Sequence, residues 1–495
     1  MLAAGAAVAA LAALPLVYLV VRAGQAGGDR VVDVLTRPRT WELAAGTVLL
    51  VAAVCVGCLV LGVATAVLVV RVRLPAPRLW WVLASLPLAM PSYITAFAWL
   101  AAWPGINGFW PLVGVMVLAC TPYVTIPVLA ALRLADTGPE DVARTLGRGP
   151  VAAFTTVTLP QVVPAALAGS LLVALYTLSD FGAPALLRFP AFTWAIHSSY
   201  TGSLDRVTAA VLALLLTMLA LALVLAERRV RRRSTVGRAV VATRRSEPVA
   251  ARPWATALVA TGLAAVAALS LLLPLGVLAG RILRAGTSPD WADLARSTVT
   301  TLALGAAAAA LVVVLAVPVG VLAARYRGRV VGVVESVAYL GHGLPGIVVG
   351  LSLVFLSLGL VPELYQTAVV LVFAYAVLFL PKAIGATRAA VERVPVAVEE
   401  VSRTLGRSAV GTWFAVTGRQ AWPGIAAGGL LVMVTTMKEL PATLMLRPIG
   451  VDTLATDLWQ HTSLGTYGAA APAALLLVLA ASVPAWFLAE RGRRR

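Results

Sequence analysis

Long apolar stretches alternate with short polar segments along the whole chain. Runs of eighteen or more mostly apolar residues recur, and one such run, as a helix, crosses a hydrocarbon core about 30 Å thick. A membrane β-barrel would instead show short segments of alternating polarity. The pattern predicts an all-α integral membrane protein with a first helix ending at Val21 and further helices at about 43–70, 80–103, 109–131, 162–181, 207–226, 254–280, 298–324, 333–358, 364–391, 421–446 and 466–489.

A repeated polar segment divides these twelve predicted helices into two sets of six. The residues Arg144-Thr145-Leu146-Gly147-Arg148 return as Arg403-Thr404-Leu405-Gly406-Arg407, 259 positions later. Repetition at a fixed spacing indicates an internal duplication. We therefore predict a first half at residues 1–227, a basic linker at residues 228–253 and a second half at residues 254–495. Two such halves are expected to lie in parallel, related by an axis along the membrane normal.

Composition excludes a soluble globular protein, because 60% of the residues are hydrophobic and only 12% are charged. The net charge of +18 would suggest a nucleic-acid partner in a soluble chain. Here most basic residues fall in every second loop, on the same side of the membrane as the N-terminus, and this bias sets membrane orientation instead. We therefore expect a lipid bilayer and no nucleic acid as partner, and both termini in the cytoplasm.

Candidate catalytic and metal-binding groups are sparse. Cys55 and Cys58 have the spacing of a redox or metal motif, but no second pair follows them, and helix packing is the favoured interpretation. The histidines 197, 342 and 461 stand alone without ligand spacing, so no metal site is predicted. No phosphate-binding Gly-x-x-x-x-Gly-Lys-Ser/Thr motif is present, and Lys382 and Lys438 are the only lysines. The chain is not expected to be an enzyme or to carry a cofactor.

Each copy of the polar segment has the features of a short helix at the membrane surface. Glu140 and Asp141 in the first copy, and Glu399 and Glu400 in the second, suit the positive end of a helix dipole. Gly147 or Gly406 can then end the helix. We name residues 138–160 the first repeated loop and residues 399–419 the second repeated loop. A soluble partner could contact both loops, although a pair of solvated connections is the alternative.

The repeated loops resemble the cytoplasmic signature of permease subunits of ATP-binding-cassette importers. That signature reads Glu-Ala-Ala, three residues, Gly, nine residues, Ile, one residue, Leu-Pro. Asp141-Val142-Ala143, Gly147 and Val157-Thr158-Leu159-Pro160 match it in the first loop. The second loop keeps Glu400-Val401-Ser402 and Gly406 but has Val416-Thr417-Gly418-Arg419 at the end. The resemblance implies the fold of a type I importer permease and a location in the bacterial plasma membrane.

This resemblance implies two cassette ATPase subunits, which bind ATP and Mg²⁺, and an extracytoplasmic solute-binding protein or lipoprotein. The residues expected to couple the chain to the ATPase are Glu140, Asp141, Val142, Ala143, Gly147, Leu159, Pro160, Glu399, Glu400, Val401, Ser402 and Gly406. The stretch from Met437 to Pro448 is most similar to ferric-iron importers. Related permeases move thiamine, polyamines or phosphonates, so these substrates stay open.

Charges and prolines within the predicted helices mark a candidate substrate pathway. The offset of 259 pairs Asp180 with Glu439, and Lys438 precedes the second acid. Pro91 and Pro345 fall at corresponding places and are expected to kink their helices. The two acids could form an outer gate or a way-station for a trivalent cation. Alternatively, they could be interfacial acids satisfied by arginines 188 and 447, by Lys438 or by helix ends, or they could contact the docked binding protein.

A proton-coupled secondary transporter is the second class considered, because twelve helices in two parallel halves also describe the major-facilitator class. That class carries charged motifs in the loop after its second helix. Here this loop is Arg71 to Arg78, which contains no acid. The sequence therefore favours the ATP-driven class.

Overall fold

The computed structural model describes residues 1–25, 27–203, 205–234, 252–284 and 290–493. Of the predicted basic linker, residues 235–251 lie outside these described residues. Within the described ranges the chain forms helices and no strand. Up to residue 234 the helices are α1 (Leu2–Gln25), α2 (Gly28–Thr36), α3 (Pro38–Arg71), α4 (Pro77–Ser85), α5 (Ser92–Ala102), α6 (Phe109–Leu134), α7 (Gly138–Thr145), α8 (Pro150–Ala153), α9 (Leu159–Ser179), α10 (Gly182–Leu186), α11 (Phe192–Thr201) and α12 (Arg206–Ser234).

The later part of the described chain repeats this order of long and short helices. It contains α13 (Pro253–Ala267), α14 (Leu273–Arg284), α15 (Trp291–Arg325), α16 (Arg329–Ala338), α17 (Gly346–Leu360), α18 (Ala368–Glu392), α19 (Val396–Thr404), α20 (Ala409–Thr412), α21 (Gly418–Met437), α22 (Pro441–Leu446), α23 (Leu454–Ser463) and α24 (Tyr467–Arg493). A π-helical turn joins α13 to α14, so residues 253–284 form one long span.

Eight helical spans of the described residues are long and apolar enough to cross a membrane, and one bent pair of helices raises the number to nine. Two shorter apolar helices lie at Gly346–Leu360 and Tyr467–Ser482. The all-helical membrane fold is confirmed, and its spans fall where the sequence pattern places them. The number twelve stays a prediction.

Two predicted helices are broken near their prolines. The predicted helix at 80–103 consists of α4, a 3₁₀ turn at Leu86–Ala89 and α5, and its two arms meet at a bend of 93°. The predicted helix at 333–358 likewise consists of α16, a 3₁₀ turn at Leu340–Gly343 and α17. Proline lacks an N–H and disfavours a helical residue before it, so Pro91 and Pro345 begin the second arms.

Further differences concern helix ends and connections. The fifth predicted helix begins at Leu159 instead of Val162, because a π-helical turn leads directly into it. The predicted helix at 421–446 ends at Met437, and a separate short helix, α22, follows. Short helices also form where the sequence suggests only polar connections, namely α2, α11 and α23. Each lies in a segment too short or too polar to give a clear apolar period.

The described chain divides into two compact units. Unit 1 contains residues 1–36, 196–217 and 282–495, and unit 2 contains residues 37–195 and 218–281. The packing units therefore do not coincide with continuous halves of the chain. The helix α1 packs on α15, α16 and α17 in unit 1, and α13 packs on α4 in unit 2.

Three long helices form the centre of each unit. In unit 2 these are α3, α6 and α9, and in unit 1 they are α15, α18 and α21. Small residues allow the close approach: a Cβ at Gly169 would lie 2.5 Å from the carbonyl oxygen of Tyr123. At the corresponding Gly428 in unit 1, a Cβ would lie 2.6 Å from that of Ala386. Membrane helices commonly pack through such small residues.

Candidate coupling and pathway sites

Both repeated loops fold in the same way. The short helix α7 or α19 is followed by a glycine with a φ of +84°, then by one helical turn and a π-helical turn that leads into the next long helix. These glycines are Gly147 and Gly406, and glycine adopts positive φ without strain. The second loop reaches this structure although Gly418 and Arg419 replace Leu159 and Pro160.

The first repeated loop is fastened to the end of α3 through a buried acid. Glu140 is 3% exposed. Its Oε2 lies 2.6 Å from Nη2 of Arg71, the last residue of α3, and accepts a hydrogen bond from the hydroxyl of Thr158 at 2.5 Å. The Arg71 guanidinium also donates to the Thr158 hydroxyl oxygen at 3.2 Å. We call Arg71, Glu140 and Thr158 the first clamp.

The second repeated loop has the same arrangement at the end of α15. Arg325, the last residue of that helix, donates from Nη2 to Oε1 of Glu399 at 2.6 Å. The hydroxyl of Thr417 donates to the same oxygen at 2.8 Å. The guanidinium of Arg325 also donates to the carbonyl oxygen of Val394 at 2.8 Å. We call Arg325, Glu399 and Thr417 the second clamp.

The first clamp holds its carboxylate in the ionised form. Burial by itself would raise the pKa of Glu140. The hydrogen bonds from Thr158 and Arg71, together with the positive charges of Arg71 and Arg144, outweigh that effect, so the pKa lies below its ordinary value. The carboxylate therefore stays charged at neutral pH and the charge-assisted bonds persist.

The opposite face of each loop helix presents apolar side chains to solvent. Val142 and Leu146 are exposed in the first loop, and Val401 and Leu405 are exposed in the second. The two leucines have the same exposed fraction, 78%. Exposed apolar residues at corresponding places of a duplicated segment are typical of an interaction surface.

The other residues predicted at the loops divide into buried and accessible positions. Ala143 and Ser402 are buried, as expected for residues that face the protein. Asp141 and Leu159 are half-buried, whereas Pro160, Glu400 and the two glycines are exposed. In each loop the acid that bonds to the long helix is Glu140 or Glu399. Each of these residues directly precedes the triplet that matches Glu-Ala-Ala.

The sequence interpretation missed four clamp residues, Arg71, Thr158, Arg325 and Thr417. A signal for them was present. Thr417 follows Thr158 by 259 positions, as Glu399 follows Glu140, and Arg325 follows Arg71 by 254 positions. Applying the repeat spacing of 259 to every polar residue would have related the two threonines, whereas the two arginines are related by the offset of 254 that also relates Pro91 to Pro345.

In unit 2 the candidate pathway residues meet at the break of a span. Pro91 precedes α5, and the hydroxyl of its first residue, Ser92, donates to Oδ1 of Asp180 at 3.0 Å. The Tyr176 hydroxyl donates to the Ser92 hydroxyl oxygen at 3.1 Å. Asp180 follows the last residue of α9, so these bonds tie α9 to the second arm of the broken span.

In unit 1 the corresponding residues meet at the corresponding break. Gly346 begins α17 after Pro345, and a Cβ there would overlap Oε1 of Glu439. The same oxygen accepts a hydrogen bond from the backbone N–H of Ala442 at 3.0 Å. A helix end thus binds Glu439, one of the alternatives left open by the sequence. Arg447, another alternative, forms an ion pair with Asp452.

Cys55 and Cys58 on α3 contact the backbone of two neighbouring helices. The Cys55 thiol donates to the carbonyl oxygen of Ser170 at 3.4 Å, and the Cys58 thiol donates to that of Val117 at 3.7 Å. These contacts link α3 to α9 and α6. Among the residues that the structure describes, no three His, Cys, Asp or Glu side chains are grouped so as to hold a metal ion.

The membrane-spanning helices and the loop structure that occurs twice together define a multi-spanning membrane protein with an internal duplication. Residues 58–233 and 316–489 each match the family described as binding-protein-dependent transport system inner membrane component. The chain belongs to this family and is an ATP-binding-cassette importer permease.

Similar proteins whose functions are described support this assignment. The chain is 33% identical over 480 residues to the Fe(3+)-transport system permease protein FbpB 2 of Haemophilus influenzae, covering 96% of this chain and 95% of that protein. It is 31% identical to the putrescine transport system permease protein PotI of Escherichia coli, over 27% of this chain and 51% of that one. It is 32% identical to the sulfate transport system permease protein CysT of Salmonella typhimurium, over 34% and 67% of the two chains. These relatives are permease subunits and not enzymes.

Proposed function

We propose that this permease imports ferric iron, which an extracytoplasmic binding protein or lipoprotein delivers. Twelve membrane helices in two parallel sets of six form the translocation unit, with both termini in the cytoplasm. Two cassette ATPase subunits bind ATP and Mg²⁺ and contact the two repeated loops. The loops transmit ATPase closure to the membrane helices, which alternate between outward and inward access.

The extent of similarity supports ferric iron as the cargo. Similarity to the ferric-iron permease covers 96% of this chain, including both halves. The putrescine and sulfate permeases match over about a third of the chain or less. A match over such a small part of the chain bears less on the cargo than one over nearly its whole length.

The two clamps support the coupling role of the loops. In each clamp the loop helix is bonded through a glutamate to the last residue of a long membrane helix, Arg71 of α3 or Arg325 of α15. A force on α7 or α19 therefore passes to that helix through charge-assisted hydrogen bonds, which are stronger than neutral ones. The exposed apolar face of the same loop helix is available for the ATPase.

Uptake of radioactive ferric iron tests the cargo. Cells that lack the endogenous permease and express this chain with its ATPase and binding protein should accumulate ⁵⁵Fe(III) in an ATP-dependent way. Excess unlabelled putrescine, thiamine, sulfate or aminoethylphosphonate should not compete. Uptake of one of these compounds without iron uptake would contradict the assignment, and uptake that survives ATP depletion would contradict the coupling mechanism.

Cysteine crosslinking tests the contact with the ATPase. The variants Val142→Cys and Val401→Cys place thiols on the exposed faces of α7 and α19 and should crosslink to cysteines on the copurified ATPase. Ile449→Cys is the control, because Ile449 is 87% exposed but lies outside both repeated loops. Equal crosslinking from all three positions, or crosslinking from Ile449 alone, would refute the proposed contact.

A further inference from the structure

An arginine occupies a strained backbone position at the end of α10. Arg188 has a φ of +53°, in the left-handed region. Its N–H donates to the carbonyl oxygen of Ala185 at 3.3 Å, and the N–H of Phe189 donates to that of Pro184 at 2.9 Å, which together form a Schellman motif. Glycine usually occupies this position because a Cβ destabilises left-handed backbone. Arginine is therefore unfavourable here for the fold, and strain of this kind is typical of functional sites.

The backbone on both sides of Arg188 is fixed. The N–H of Gly108, the residue before α6, donates to the carbonyl oxygen of Leu187 at 2.8 Å. The ring of Phe189 lies 5.7 Å from the ring of Phe109, measured between centroids. These contacts join the end of α10 to the start of α6 and hold Arg188 in its strained conformation. The guanidinium group thus extends from a rigid base.

The side chain of Arg188 is exposed beside a row of aromatic rings. Across the residues that the structure describes, its guanidinium forms no ion pair, hydrogen bond or ring contact. The neighbouring Phe109 lies 5.1 Å from Trp110, between ring centroids, and Trp110 is 75% exposed. We call Phe109, Trp110, Arg188 and Phe189 the Arg188 patch. Tryptophan and arginine are the residue types that contribute most to protein–protein binding.

The second half of the chain lacks this patch, although the same helices form there. Arg447 follows Arg188 by 259 positions, but its φ is −57° and it forms an ion pair with Asp452. The offset of 254 places Glu363 and Leu364 where the patch has the phenylalanine and tryptophan of α6. The duplicated fold therefore requires neither these aromatic rings nor a strained arginine, which indicates a role outside packing.

The Arg188 patch and the first repeated loop lie at opposite ends of α6. This helix has 26 residues, Phe109–Leu134, and is apolar enough to cross a membrane. At a rise of 1.5 Å per residue it is about 39 Å long. The patch is at its start, and the loop begins at Gly138, shortly after its end. If the ATPase contacts the loop, as proposed above, the patch faces the side from which a binding protein approaches.

We propose that the Arg188 patch is a docking surface for the extracytoplasmic binding protein. Arg188 binds a carboxylate side chain on the surface of that protein, and Trp110 packs against apolar groups next to the carboxylate. An arginine and a carboxylate can form two parallel hydrogen bonds, which fix orientation as well as add affinity. The inference rests on the proposed function because it takes the binding protein as the partner.

Affinity and stability measured on the same variants test the docking surface. The purified full-length chain in phosphatidylcholine nanodiscs is titrated with the binding protein of the uptake assay. Arg188→Gly should weaken binding about tenfold or more, yet its melting temperature should stay equal or rise, because glycine relieves the strain. Trp110→Ala should also weaken binding. Ala76→Gly is the matched control, since Ala76 has a φ of +49° but lies next to the first clamp, and it should bind normally.

A chemical crosslink tests the predicted carboxylate directly. The chain has only two lysines, so Arg188→Lys adds an amine at a known place. A water-soluble carbodiimide should join this amine to an acidic residue of the binding protein, which mass spectrometry then identifies. Arg78→Lys, in the connection between α3 and α4, is the control and should give no crosslink. Crosslinking from Arg78→Lys alone would place the docking surface at the other end of the helices.

Three outcomes would overturn the proposal. Normal binding by both Arg188→Gly and Trp110→Ala would exclude the patch as a docking surface. A melting temperature of Arg188→Gly that falls together with the affinity would show that Arg188 supports the fold instead. An effect of Arg188→Gly that occurs only in nanodiscs containing phosphatidylglycerol would identify a lipid headgroup as the partner of Arg188.

Failure of this inference can be distinguished from failure of the proposed function. If iron is not taken up but the unmodified chain binds the binding protein, the cargo assignment fails and the titration still decides on the patch. If uptake is intact and the patch variants bind normally, only this inference fails. Absence of binding by the unmodified chain would contradict both.

Discussion

At the scale of single residues, the two clamps are the most informative feature of the chain. Glu140 and Glu399 are matched in position, in the arginine that each binds and in the threonine hydroxyl that each accepts from. A buried carboxylate that loses its partner leaves an unsatisfied polar group, which destabilises a protein more than an exposed pair would. The clamps should therefore contribute to stability as well as to transmission.

Replacing the clamp acid should separate these two contributions. Glu140→Gln keeps the shape but removes the charge, and we expect a loss of about 2 kcal/mol of stability, because hydrogen bonds to charged groups contribute in this range. ATP-dependent transport should fall further than stability explains. Thermal unfolding in detergent and iron uptake measure the two effects. Asp141→Asn is the control for stability in the same turn, and an equal loss of melting temperature in the two variants would contradict the clamp.

The pH dependence of the same interaction has a definite sign. Because the pKa of Glu140 is lower in the folded protein than in the unfolded chain, its contribution is fully present above the unfolded value of about 4.3. It is lost as pH falls through the folded value. The difference in melting temperature between the unmodified chain and Glu140→Gln should be constant from pH 8 to pH 6 and shrink below about pH 4. A difference that grows on acidification would refute this.

At the two loop glycines, which have positive φ, we expect a charged replacement to impair transport more than an uncharged replacement of similar size. No atom lies within 4 Å of a Cβ built at Gly147 or Gly406, so a small side chain fits, and Asn and Asp tolerate this conformation best. Gly147→Asp and Gly406→Asp should leave the protein inserted and folded but uncouple transport, whereas the uncharged Gly147→Asn should retain most activity. Normal iron uptake by both Asp variants would show that the loops do not couple.

At the scale of helices, small residues decide how closely the long helices pack. Gly169 lies where α9 meets α6, and Gly114 lies on α6 with open space around it. Gly169→Ala should destabilise unit 2 by about 1–3 kcal/mol, since the added methyl group overlaps the backbone of α6. Gly114→Ala should be neutral or slightly stabilising because alanine favours a helix. Thermal melting of the two variants checks the contrast, and equal melting temperatures would contradict the observed helix packing.

The broken spans show how much a sequence pattern reveals about a helix. The apolar period and the prolines predict a kink at residues 91 and 345, and the structure has a break at both. The pattern does not reveal that the second arm packs against the acid of another helix, Asp180 or Glu439. That contact depends on tertiary packing, as does the division of one predicted helix into α21 and α22.

At the scale of the whole molecule, orientation in the membrane is the main expectation still to be tested. With both termini in the cytoplasm, a thiol in Leu405→Cys should react with a membrane-impermeant maleimide only in inverted vesicles. A thiol in Ile449→Cys should react only in intact spheroplasts. Both residues are exposed, so access and not burial decides the result. Labelling with the reverse pattern would place the repeated loops outside the cell and exclude their contact with an ATPase.

The sequence by itself determined the helical membrane fold, the duplication and the two repeated loops. Membrane-spanning segments must satisfy their backbone hydrogen bonds internally, so hydropathy alone locates most of the helices. The repeat spacing then relates Glu140 to Glu399 from the sequence alone. These features are local, or depend only on spacing along the chain.

Only the tertiary structure decided which residues meet. It brought Arg71 to Glu140 and Arg325 to Glu399 across about 70 positions, and it brought Ser92 to Asp180. It also grouped α1 with the helices of the second half, because the packing of apolar helix faces does not follow chain order. Contacts between distant segments follow from how helices pack, and a sequence pattern with a period of a few residues carries no information about them.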